Sequence, residues 1–209
     1  MENWRTWRKS VVEVKIYAEG GGEGQLLDTL FRQGWRDFFV SAGLATKLPR
    51  VIRGKGRLRT FDLFRTAIEN REPGTLPLLL VDSEDPVDPR HTVWQHLRSR
   101  DNWQKPNGAS DDDAFLMVQV METWFVADRE ALRSYFNGCL NEKALPQWPN
   151  LESVPKEMIL KALDSATANC KTGYTKGRVS FQLLSSVNAA QVENRCQHAR
   201  RLMERLRAL

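Results

Sequence analysis

One stretch, Leu76–Pro86 (LPLLLVDSEDP), limits most sharply what this chain can become. Leu78, Leu79, Leu80 and Val81 form an unbroken apolar run that stops at Asp82, Ser83, Glu84 and Asp85, with Pro86 behind them. A short continuous apolar run ended by turn residues is the pattern of a central parallel strand covered on both faces. In open α/β sheets, ligands sit at the carboxyl ends of such strands, where loops leave the rigid sheet. Three carboxylates leaving together repel one another at neutral pH unless positive charge sits among them. A divalent cation is the simplest source.

The same design recurs along the chain. Val11–Tyr17 (VVEVKIY) alternates and is rich in β-branched residues, which predicts a first strand. It delivers Glu19 into the glycine-rich turn Gly20–Gly24, and residues 25–42 follow with Leu26, Leu27, Leu30, Phe31, Trp35, Phe38 and Phe39 at helical spacing. Strand, turn and helix open a βαβ unit. The glycines match neither GxGxxG nor a P-loop, so they are read as a tight turn beside Glu19 rather than a nucleotide cradle. Leu48–Ile52 predicts a second strand and Phe61–Glu69 a short helix. Residues 86–113 read as loop, and their run Asp111–Asp113 as a solvated loop or helix start. Ala114–Val120 (AFLMVQV) predicts another buried strand, which delivers Glu122 into a helix over Glu122–Tyr135. Beyond a loop at 137–149, helices are expected over Ser153–Asp164, capped by Ser153, from Val179, and over Ala190–Leu209, whose Leu202, Met203, Leu206 and Leu209 form an apolar face.

The reading is therefore an α/β fold: a Rossmann-like, mostly parallel sheet flanked by helices, with a C-terminal helical extension. The core is expected over residues 11–136, with residues 137–209 packed on it. Lys and Arg exceed Asp and Glu, giving a formal charge of +5, which permits a polyanionic partner without demanding one. Cys139, Cys170 and Cys196 are odd in number and lack CxxC spacing, so they read as free thiols of a cytoplasmic chain. No apolar run is long enough to span a bilayer, so a membrane is not expected.

Glu19, Asp82, Glu84 and Glu122 are thus carboxylates at the ends of three separate expected strands. Hard oxygen donors of this kind suit Mg²⁺ or Mn²⁺ shared with substrate phosphate oxygens. The competing reading is that each acid is solvated or caps the next helix. Ile16–Gly20 (IYAEG) and Leu80–Asp85 (LVDSED) together resemble the TOPRIM fold of topoisomerases, primases and OLD-type nucleases. More closely, AEGGGEG, LLLVDSEDP, MVQVMETWFVAD and YTKGRVSFQLL resemble a bacterial domain-of-unknown-function family of TOPRIM-like proteins, DUF4276, over roughly residues 12–205.

That resemblance implies Mg²⁺-dependent phosphodiester chemistry, as the effector of an ATPase-associated bacterial defence system. Glu19 would be the acid/base or metal-organising glutamate, Asp82 and Glu84 would hold metal, Glu122 would be the extra acid of the nuclease branch, and Lys176 would contact the scissile phosphate. The acid pair here is Asp82-Ser83-Glu84 with Asp85 adjacent, which leaves Glu84 and Asp85 as alternatives for the second role. Arg53, Lys55, Arg57, Arg59, Lys171 and Arg178 are the residues expected to hold a nucleic-acid backbone; the alternative is an exposed loop for the first four and, for a lysine of the 171–178 segment, a structural counter-ion of the carboxylates. Expected partners are nucleic acid, an AAA/ABC-type ATPase encoded nearby, and a second copy of the chain. The alternative to a nuclease is a non-catalytic TOPRIM-like scaffold that binds an ATPase or nucleic acid.

Overall fold

A computed structural model describes residues 13–209. Four strands, β1 (Glu13–Ala18), β2 (Arg50–Arg53), β3 (Thr75–Asp82) and β4 (Ala114–Met117), form one sheet in the order β2-β1-β3-β4. All pairings are parallel: Ala18 lies opposite Arg53 on one side and Leu80 on the other, and Asp82 opposite Met117. The expected α/β, Rossmann-like architecture is the one observed. Residues 1–12, which include the first two residues of the expected opening strand and the start of the expected core, lie outside the described residues.

Alternation along β3 explains its unbroken apolar run. Leu78 and Leu80 point to one core layer, with Ile16, Ala18, Phe115 and Met117, whereas Leu79 and Val81 point to the other, with Tyr17, Ala114 and Leu116. The first layer is covered by α1 (Gln25–Ser41) through Phe31, Trp35, Phe38 and Phe39, and the second by α2 (Arg57–Glu69) through Phe61, Phe64 and Ile68. The crossovers from β1 to β2 and from β2 to β3 therefore run over opposite faces, and the cleft between the carboxyl ends of β1 and β3 is the switch point where such folds bind ligands.

Several expectations are corrected. Residues 86–113 contain a helix, α3 (Val93–Asp101), entered through a reciprocal cap: Thr92 Oγ1 accepts from the Gln95 amide at 3.3 Å and the Thr92 amide donates to Gln95 Oε1 at 2.7 Å. The expected helix over 122–135 is two, α4 (Glu122–Ala127) and α5 (Arg129–Phe136). Buried Asp128 parts them, accepting from Ala131 at 3.1 Å to start α5 and from the Asn188 amide at 2.8 Å. Ser153 does not cap a helix; it lies in a 3₁₀ turn (Leu151–Ser153), and α6 (Lys156–Thr167) starts after Pro155. The C-terminal segment beyond α7 (Arg178–Ser186) is likewise two helices, α8 (Ala189–Arg195) and α9 (Gln197–Arg207), broken at buried Cys196. Cys139 and Cys170 are not free thiols: they form a disulfide across a Cα separation of 5.2 Å, joining the end of α5 to the end of α6. Their spacing carries no pairing signal, because the two meet only through the packing of α6.

Helices α4 to α9 bury their apolar residues in the same layer as α1. Trp124 of α4 stacks on Phe38 at 5.2 Å and meets Trp35 edge-on at 6.0 Å, which fixes where Glu122 emerges. Gly34 lets α7 approach α1: a Cβ there would lie 2.5 Å from the Phe181 carbonyl. Among the described residues no helix is long and apolar enough to cross a membrane.

Candidate functional site: a cavity of four carboxylates

Glu19, Asp82, Glu84 and Glu122 line one cavity of about 210 Å³ with Gly20, Gly21, Met117, Met121, Lys176, Gly177, Ser180 and Phe181. It lies over the carboxyl ends of β1, β3 and β4, at the switch point. The Glu19 amide continues the ladder beyond β1, donating to the Leu80 carbonyl at 3.2 Å. Glu84 sits at φ 64°, a left-handed conformation uncommon for a residue with a side chain, and its amide is tied to the Gln119 carbonyl at 2.7 Å.

Each carboxylate is anchored through a single oxygen. Glu19 Oε2 accepts from Arg57 Nη1 at 3.3 Å. Asp82 Oδ1 accepts from the Met121 amide at 2.9 Å. Glu84 Oε2 is bound by Lys156 Nζ at 2.6 Å, and Glu122 Oε1 by the Tyr174 hydroxyl at 2.5 Å, with Lys176 Nζ at 3.7 Å. The second oxygen of each acid has no donor among the described residues. Burial, then the carboxylates of Glu122, Glu19 and Glu84, push the pKa of Asp82 well above the ordinary aspartate value. Burial also raises Glu19, against the pull of Arg57. For Glu84 the upward push of burial is outweighed by Lys156, and the net shift is downward.

The arrangement therefore has an excess of negative charge and four oxygens left for something that enters. Among the described residues no three acidic, histidine or cysteine side chains already converge as a metal cage. The donor type and charge nevertheless suit a hard divalent cation, which binds through one or two carboxylates and keeps several waters.

The structure sorts the sequence-predicted residues. Asp85 is outside the cavity, more than half exposed and paired with Arg100 Nε at 3.2 Å, so the second acid of the pair facing the site is Glu84. Arg53 turns inward: its side chain binds the carbonyls of Gly20 at 3.1 Å, Gly21, and Gly22 at 2.7 Å, and Asp28 at 2.7 Å, which is what folds the glycine-rich turn. Lys55 leans on the same Asp28 at 3.6 Å. Arg57 lies in the first turn of α2 and joins three elements. It bonds Asp101 at 2.9 and 2.7 Å, the Asp82 carbonyl at 2.6 Å, and Glu19, over the Trp103 ring at 5.0 Å. Lys176 stands at the rim, 62% exposed. Arg59, Lys171 and Arg178 are exposed and have no ion pair among the described residues. Asp111–Asp113 form a capped 3₁₀ turn in which Asp113 accepts from Ser110, the local structural role and not a site.

Sequence reasoning missed Lys156, Tyr174, Ser180 and Asp101. Tyr174 stands within the YTKG word that also supplies Lys176, the one signal that could have found it. Lys156 and Asp101 carry none, because their roles come from packing across distant segments.

The family model for a domain of unknown function, DUF4276, matches residues 18–207. No curated protein and no solved structure matches the chain. The match runs from the last residue of β1 to the end of α9 and takes in every residue of the carboxylate cavity, and the chain belongs to the DUF4276 family.

Proposed function

We propose that this chain is a Mg²⁺- or Mn²⁺-dependent phosphodiesterase, a nuclease acting on DNA or RNA, and the TOPRIM-like effector of an ATPase-associated bacterial defence system. The observation that carries the reading is the set of four carboxylates at one switch point, each anchored by one oxygen and, among the described residues, without a donor at the other. A divalent ion held there neutralises charge on a phosphodiester and lowers the pKa of a bound water. Asp82 and Glu122, with Glu19 and Glu84, are the residues to hold it. Lys176, exposed at the rim, is the group to meet a phosphate oxygen. The exposed Arg59, Lys171 and Arg178 give further backbone contacts whose strength falls with salt. The TOPRIM likeness rests on the IYAEG and LVDSED words, and the ATPase partner on the resemblance alone.

The second reading, a non-catalytic scaffold, draws on the ion pairs of Arg57 with Glu19 and Lys156 with Glu84, which already satisfy half of the acids. Labelled plasmid, single-stranded DNA and tRNA incubated with Mg²⁺ or Mn²⁺, with and without the neighbouring ATPase, separate the two. The nuclease reading expects cleavage that disappears in Glu19→Ala and Asp82→Ala. Absence of cleavage in every condition, with no rise in Tm on adding divalent ion, favours the scaffold.

A further inference from the structure

The four anchors of the cavity differ in charge. Glu19 and Glu84 are held by cations, Arg57 and Lys156, whereas Asp82 and Glu122 are held by neutral donors, the Met121 amide and the Tyr174 hydroxyl. Glu122 is 3% exposed in its side chain and has no donor on Oε2 among the described residues, so its unused oxygen belongs to the cavity it lines. Lys176 offsets that charge only weakly, being solvated and 3.7 Å from the oxygen Tyr174 already occupies.

Tyr174 is itself held. Its amide donates to Thr167 Oγ1 at 2.8 Å, its ring lies 6.2 Å from that of Phe125, and its hydroxyl is 3.3 Å from Ser180 Oγ. A phenol has one hydrogen to give. The carboxylate at 2.5 Å takes it, and Ser180, which accepts from the Gly177 amide at 2.9 Å, turns its own hydrogen to the phenol oxygen. The relay runs from Gly177 through Ser180 and Tyr174 to Glu122.

We propose that Tyr174 is a positioning residue of the acid site: it fixes Glu122 by a neutral hydrogen bond, so that Asp82 and Glu122 are left for a divalent cation while Arg57 and Lys156 pair with Glu19 and Glu84. The inference rests on the metal-dependent reading above and adds which side of the cavity takes the ion and which residue prepares it. A cation in place of Tyr174 would hold the carboxylate as firmly but cancel its charge.

The test is the dissociation constant of Mn²⁺ alone, by calorimetry, on the full chain. Tyr174→Phe keeps the ring and removes the donor; partners of this kind change metal affinity by about 10–100-fold. We expect Mn²⁺ binding weakened by about tenfold or more in Tyr174→Phe, and unchanged or tightened in Lys156→Met, which frees Glu84. Both substitutions break a hydrogen bond, so weakening confined to Tyr174→Phe distinguishes positioning from general loosening, and equal weakening in both overturns the inference. Should Tyr174→Phe not fold, Ser180→Ala, which removes only the hydroxyl behind the phenol, is expected to weaken binding by about threefold. Tyr135→Phe, whose hydroxyl bonds Gln182 outside the cavity, serves as the control for a lost phenol and should bind as wild type. Wild-type binding that Tyr174→Phe (or, in its place, Ser180→Ala) leaves unchanged overturns the inference and spares the metal reading. Wild-type protein that binds no Mn²⁺ overturns both.

Discussion

Two cavities open on the loops that leave β3 and β4, and they differ in chemistry more than in size. The larger, about 590 Å³, is lined by Pro86–Pro89, His91–Val93, Val118 and residues of the Leu151 turn and α9. Its acids are paired and, for Asp111, solvated: Asp88 binds Arg90 at 2.6 Å, half-exposed Asp111 meets Lys105 at 3.3 Å, and Glu152 holds the His198 amide and ring nitrogen, each at 3.0 Å. The smaller, about 210 Å³, collects four acids and, among the described residues, leaves an oxygen of each without a donor. Volume marks where a molecule fits. Uncompensated charge marks where folding has left stability unused, and the second is the better pointer to chemistry.

Removing acids from each cavity in turn should separate the two most strongly. Glu19→Ala and Asp82→Ala are expected to lower divalent-dependent cleavage by more than about a hundredfold, the upper end for an outer partner of a metal ligand. Glu152→Gln and His198→Ala are expected to leave it within about twofold, the range of substitutions away from a site. Equal losses from both cavities would erase the distinction.

Next in size is Arg57→Ala, expected to cost about 3 kcal/mol in urea unfolding. It strips Asp101, whose side chain is 9% exposed, of a two-pronged partner and frees the tips of β1 and β3 together. Glu152→Gln, in the larger cavity, should cost about 1 kcal/mol, the value of a typical hydrogen bond to the His198 ring.

The smallest effect has the opposite sign. The pKa of Asp82 is higher in the fold than in the unfolded chain, so the fold binds that proton more tightly. Its contribution favours folding at low pH and is lost as pH rises from the ordinary aspartate value through the raised one. Asp82→Asn is therefore expected to raise Tm by a few degrees at pH 7, with the gain fading as pH falls towards about 4. A lower Tm at pH 7 would mean that the carboxylate is compensated after all.

Much of the smaller cavity was legible in the sequence because strands announce their ends. Asp82 follows an unbroken apolar run, Glu19 follows the alternating first strand, and Glu122 follows AFLMVQV, although the strand there stops at Met117. What was not legible is how those ends are secured. Arg53 and Arg57 read as exposed cations because sequence shows charge and not direction, and both turn inward to carbonyls and carboxylates. Helix α3 has only Val93, Trp94 and Leu97 as buried apolar residues, so its periodicity is faint, and its signal was instead the Thr92–Gln95 cap. The breaks at Asp128 and Cys196 carry no glycine or proline, and both residues are buried.

The four anchors also have a consequence in time. Glu19 and Asp82 leave the ribosome early, but Lys156 and Tyr174, which steady Glu84 and Glu122, follow on the order of ten seconds later. Until α6 and the segment before α7 are made, the nascent chain carries its acids without the parts that order them. An activity against nucleic acid that depended on those parts would stay silent on the messenger being translated and begin only when the chain has folded.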